Sequence, residues 1–147
     1  MLFRTEEQKK DLIASWHRQD RAFFAAGACH VLAYEFLKRA EAQGFRAFMI
    51  KPELGFRGGH VFASNERVAF DYHGWSDHQN FIGHFLRKIQ RVFPGWRGSI
   101  VDISKDFWSE KWFLDTNSRE PHHYHIDPTE RANSFINRFM QHMPSRV

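Results

Sequence analysis

The chain has 147 residues, 42% of them hydrophobic, which suits one domain with its own core. A net charge of +4, with no basic run longer than Lys9-Lys10, excludes a polybasic tail and does not by itself make a nucleic-acid binder. The single cysteine excludes a disulfide-stapled scaffold, and no stretch of about 18 apolar residues is available to span a bilayer.

The charged segment from Met1 to Asp11 does not read as a secretory leader, so a soluble, cytoplasmic chain is expected. Sixteen phenylalanines and five tryptophans predict a core built from aromatic packing. There is no internal repeat and no Ser/Gly linker, and a single domain over residues 1–147 is expected.

Residues 5 to 24 read as a first helix, with Leu12, Ile13, Trp16, Phe23 and Phe24 roughly on one side. A second helix follows the break at residues 25–28. Cys29, Leu32, Ala33, Phe36, Leu37 and Ala40 recur at i, i+3, i+4, i+7, i+8 and i+11, and Gly44 is placed to stop the helix. Residues 45–51 predict a strand ended by Pro52, and 52–59 a loop. Residues 60–64 and 67–72 predict two strands around a turn at Asn65-Glu66. A third helix after Asp77 carries Phe81, Ile82, Phe85, Leu86 and Ile89, stopped by Pro94-Gly95. A strand is expected over 99–103. The aromatic segment 105–114 reads as a short helix or a loop. Asp127, Pro128 and Glu130 sit where an N-cap, N1 and N3 belong, opening a last helix on Ala132, Phe135, Ile136, Phe139, Met140 and Met143. Strands grouped between helices predict an α+β fold with a mostly antiparallel sheet, packed against the cysteine-bearing helix and further helices.

With Asn65 and Glu66 as the loop, Ser64 faces Arg67, Val61 faces Phe70 and His60 faces Asp71. Opposed residues share a sheet face, so imidazole and carboxylate would be within hydrogen-bonding reach. A one-residue slip would separate them. Cys29, in the first turn of its helix, feels the positive end of the helix dipole, which favours thiolate. An imidazole beside it would draw off its proton, and a carboxylate would orient that imidazole. The expected site is therefore Cys29 as nucleophile, His60 as base and Asp71 as orienter, provided that the helix N-terminus lies over the hairpin end.

Three segments in this order, Gly27-Ala28-Cys29-His30-Val31-Leu32-Ala33, Gly59-His60-Val61-Phe62 and Ala69-Phe70-Asp71, resemble the core of papain-like and transglutaminase-like cysteine enzymes. The resemblance covers about residues 25 to 75. It implies acyl transfer through a thioester: peptide hydrolysis, deamidation or transfer to an amine, on a peptide or protein substrate. In papain-like enzymes a Gln shortly before the Cys supplies an oxyanion donor. Gln19 lies ten residues upstream, a poor match, and the Cys29 backbone N–H could serve instead, alone or with another donor.

Taken singly, these residues also have ordinary readings. Cys29 can be a small buried hydrophobe, His60 a hydrogen-bonded strand histidine and Asp71 a turn carboxylate. On a helix His30 points about 100° away from Cys29 and is a poor base for it. His73 is a reserve candidate on the face of Asp71. His122, His123 and His125 with Asp127 suggest a metal, but the tract reads as a loop before a helix cap, and neither metal nor cofactor is expected. Residues 107–113 could stack bases or cover a groove, but read better as a hydrophobic flap. Trp16 or Trp75 could wall the pocket. The expected activity is a cysteine-dependent hydrolase or transferase. The alternatives are a non-catalytic protein-binding module of the same fold and, more weakly, a nucleic-acid-binding domain. Oligomeric state is left open.

Overall fold

The N-terminal amphipathic segment forms three short helices rather than one, the first break set by a capping residue. The computed structural model describes residues 5–144, so the first four residues of the charged start lie outside it. Helix α1 (Glu6–Lys10) opens on a Thr5–Gln8 capping box. Asp11 ends it and caps α2 (Leu12–Trp16), its carboxylate accepting from the Ala14 N–H at 3.0 Å. Short polar side chains compete in this way with helix propagation. Helix α3 (Asp20–Ala25) then buries Phe23 and Phe24. Helix α4 (Cys29–Ala40) runs into a single 3-10 turn, closed by Gly44 at φ 80°, where the sequence predicts the stop.

Five strands follow: β1 (Arg46–Pro52), β2 (His60–Ser64), β3 (Val68–Asp71), β4 (Gly74–Asp77) and β5 (Gly98–Asp102). Their order is β4-β3-β2-β1-β5, and every neighbouring pair is antiparallel. The fold is α+β, as expected. Strand β4 is an addition that the sequence pattern does not announce. It is four residues long and opens on Gly74, whose φ of 84° and close contact with the Phe139 ring leave no room for a side chain. Helix α5 (His78–Val92) leaves β4 directly, with Asp77 as its cap. Helices α6 (Glu110–Thr116) and α7 (Thr129–Met140) complete the chain. Asp127 accepts from Thr129 N–H at 2.9 Å as a cap should, but Pro128 rather than Asp127 stands at the N-cap position, and Met143 lies beyond the helix.

The hairpin register differs from expectation by two residues. Ala63 pairs with Phe70 and Ser64 with Ala69, and the Asn65 N–H donates to the Val68 carbonyl. The turn therefore centres on Glu66 and Arg67. Asn65 causes the displacement: its side-chain oxygen accepts from the N–H groups of Arg67 and Val68 at 3.0 and 2.8 Å, while Glu66 takes φ 71°. The shift is even, so every side chain keeps its predicted face. His60 and Asp71 become diagonal rather than direct neighbours.

Side-chain alternation divides the sheet into two buried faces. Ala63, Val68 and Phe70 pack with Phe24, Leu32, Phe36, Phe135 and Ile136, the contribution of α3, α4 and α7. Phe48, Ile50, Phe62 and Ala69 pack on the other side with Phe81, Phe85 and Ile89 of α5. Helix α4 is covered nearly all round. Glu35, 5% exposed, is held by Lys38 and by the Asn133 amide, each at 2.9 Å. No helix among the described residues is long and apolar enough to cross a membrane.

Candidate active site

Cys29 and the His60–Asp71 pair start from opposite sides of the sheet, and a gap between two strands brings them together. The bonding phase of β2 and β3 alternates from Asn65–Val68 to Ala63–Phe70, so the next rung would join Val61 to Tyr72. That rung is missing. The pairing stops at Ala63–Phe70, and the Tyr72 carbonyl accepts from the Arg21 side chain at 3.4 Å instead. The Val61 N–H donates to Cys29 Sγ at 3.5 Å. The sulfur thus takes the place of a ladder carbonyl in an opened seam, where it meets the His60 side chain.

His60 is 4% exposed and Asp71 3%. His60 Nε2–H donates to Asp71 Oδ2 at 2.9 Å, which leaves Nδ1 as the ring nitrogen not held by the carboxylate. The other carboxylate oxygen accepts from the His73 N–H at 2.8 Å and from His73 Nδ1 at 3.0 Å. Phe81 and Phe85 flank the imidazole at 6.2 and 6.0 Å, and Tyr72 stands edge-on at 5.5 Å. This box removes water from the pair and fixes the ring plane. His60 and Asp71 are thus hydrogen-bonded to each other, and Cys29 Sγ accepts from the backbone N–H of Val61, the residue next to His60. His73 lies on the far side of Asp71 as a second clamp.

The thiol itself is half-buried. Burial works against its thiolate. The neighbouring imidazoles of His30 and His60 outweigh burial and bring its pKa down to about 5. Burial likewise works against the charged form of His60, but Asp71 and Cys29 hold its pKa well above the ordinary imidazole range. Asp71 is ionised throughout the physiological range: burial opposes its charge, and His60 and His73 more than compensate. All three shifts run in the direction that favours a thiolate beside an imidazolium, backed by a carboxylate. Cys29 is also the first residue of α4, so its own N–H has no carbonyl one turn back within the helix.

His30, expected to point about 100° away from Cys29, is buried against the aromatic segment. It is 4% exposed, and its Nε2–H donates to the Arg119 carbonyl at 2.7 Å. Trp108, Trp112 and Phe113 surround it at 6.0, 5.9 and 6.1 Å. The Cys29 side chain leaves the helix end toward the sheet, where its sulfur reaches the Val61 N–H. The aromatic segment supplies this support. Trp112 and Phe113 of α6 are buried and pack with Ala33, Val61 and the flank of Cys29, as a flap over α4. Trp108 stacks on Tyr34 at 3.9 Å. Trp16 and Trp75, considered above as pocket walls, belong to the α4–α7 side. Trp16 meets Phe23 and Arg131, and Trp75 donates to the Phe139 carbonyl at 2.8 Å.

Gln19 stands at the N-cap of α3, exposed, with no side-chain cap bond, and lines a surface cleft with Asp20, Arg131 and Arg138. Glu120, His122 and His123 place ligand-type atoms within 4.8 Å of one another at the surface, whereas His125 is not in that group and Asp127 accepts from the N–H and hydroxyl of Thr129. Compared with protein-family models, with curated proteins and with solved structures, the chain finds no match in any of the three, and what the site does is read from its own geometry.

Proposed function

We propose that the protein is a cysteine-dependent acyl-transfer enzyme of papain-like or transglutaminase-like type. A single observation carries the reading: a half-buried cysteine at the start of α4, its sulfur accepting from the Val61 N–H beside a buried imidazole that is held by a buried carboxylate. This order of groups is what nucleophilic catalysis by sulfur requires.

In the proposed cycle the Cys29 thiolate attacks the carbonyl carbon of an amide. The charge that develops on oxygen is met by the Cys29 backbone N–H. His60 Nδ1–H gives its proton to the departing amine or ammonia as the C–N bond breaks, leaving a thioester. His60, now neutral, takes a proton from water or an acceptor amine, which attacks the thioester and releases Cys29. Asp71 keeps the ring oriented and stays charged. The substrate class that fits is a peptide or a protein side-chain amide.

The first experiment is incubation with p-nitrophenyl acetate at neutral pH, read by intact mass and by peptide mapping. One acetyl group on Cys29 in wild type, lost in Cys29→Ser and strongly slowed in His60→Ala, supports the reading. A thiol that acylates and alkylates only after unfolding, or equally fast in wild type and His60→Ala, removes it. A binding module would then be the better description.

A further inference from the structure

Behind the aromatic box of His60 the surface opens into a cleft of about 330 Å³ between the β3–β4 corner and α5. Its floor is Phe81 and Phe85, the two rings that flank His60. His73 forms one rim. His84, Arg87 and Lys88, which recur at i, i+3 and i+4 on α5, form the other. Tyr72, Ser76 and Asn80 add further polar groups.

Every ionisable side chain of the rim is of the cationic type apart from Tyr72, and no carboxylate lines the cleft. Asp71, the acid nearest in sequence to His73, has both oxygens engaged by His60 and His73. Arg87 lies back along the helix over Gly83, where an added Cβ would come within 3.2 Å of its guanidinium. The charges of Arg87 and Lys88, gathered at a concave, half-apolar floor that no carboxylate lines, are the arrangement that receives an anion. His84 registers the imbalance: slight burial and the charges of Lys88, His73, Arg87 and Arg91 hold its pKa below the ordinary imidazole value.

We propose that this cleft binds an anionic group, carboxylate or phosphate, between His73 and the Arg87–Lys88 pair. The inference concerns binding and holds whether or not Cys29 turns over a substrate. Its floor and rim are shared with the surroundings of His60 and Asp71, so an occupant would sit one side chain away from the triad.

The test is titration of the whole chain with glutarate and, separately, with inorganic phosphate at constant ionic strength, read on the histidine ring signals by NMR. Saturable shifts of His73 and His84, with His122 unmoved, and a rise in the titration midpoint of His84 are expected. Saturation by glutarate alone assigns a carboxylate ligand, and by phosphate alone a phosphate ligand. Arg87→Gln with Lys88→Gln, both on the outer face of α5, should weaken binding by about tenfold or more, the loss of two charge-assisted contacts. Non-saturating shifts with both probes, or equal affinity in the double variant, would overturn the proposal. Acetylation of Cys29 by p-nitrophenyl acetate, measured on the same samples, reports on the triad separately, so either reading can fail alone.

Discussion

The hairpin of β2 and β3 holds two pairs of a nucleophilic side chain and an imidazole, one at each end, and only one of them has the properties of a reactive site. At the turn, Ser64 Oγ lies 2.7 Å from His78 Nδ1. Its hydroxyl also donates to the Val68 carbonyl at 3.0 Å and accepts from the Glu66 N–H at 2.9 Å, and the residue has no exposed surface. Every valence of that oxygen is spent on closing the turn. At the open end Cys29 is half-buried, its sulfur accepts one bond, from the Val61 N–H, and the imidazoles around it favour its negative charge. An imidazole within reach is common to both pairs. What separates them is access, and a carboxylate that keeps the imidazole protonated.

The contrast can be broken first at His60. In His60→Ala the acid limb of iodoacetamide alkylation should move from a midpoint of about 5 toward the ordinary thiol value, about 8.5. Ser64→Ala should leave that limb where it is. Asp71→Asn comes next. Removing one partner of a buried charged pair costs roughly 3 kcal/mol, measured by urea unfolding at neutral pH. The sign follows from a folded pKa held at about 2. The contribution is complete above the ordinary carboxylate pKa, near 4, and fades as pH falls through the folded value. The stability gap between wild type and variant should therefore be constant at mildly acidic to neutral pH and shrink in stronger acid. Ser64→Ala itself should cost about 1–2 kcal/mol, with alkylation kinetics unchanged. The smallest effect is expected for His30→Gln. The acid limb should rise, but by less than in His60→Ala, because His60 and Asp71 stay in place.

What could be read from the sequence was whatever depends on parity and on helix phase. The faces of β2 and β3 follow from alternation alone, so His60 and Asp71 were placed together even though Asn65 moved the turn by two residues. Cys29 was legible because the apolar stripe of α4 begins on it. The rest depends on contacts between distant segments. Strand β4 exists through pairing with β3 and a glycine pressed against Phe139, neither of which has a local pattern. His30 is held by Arg119, 89 residues away, and by a flap whose docking no periodicity predicts. The three-part N-terminal segment was misread because a shared apolar side outweighed the capping signal of Asp11.

The seam between β2 and β3 makes the sulfur of Cys29 a rung of the sheet. Anything that takes up its electrons, an alkyl group, an acyl group or an oxidant, weakens the bond that it accepts from the Val61 N–H. The amide proton of Val61 is therefore a built-in recorder of the chemical state of the nucleophile. Its resonance and its exchange with solvent would report each modification from inside the strand, without a label and without knowledge of the substrate.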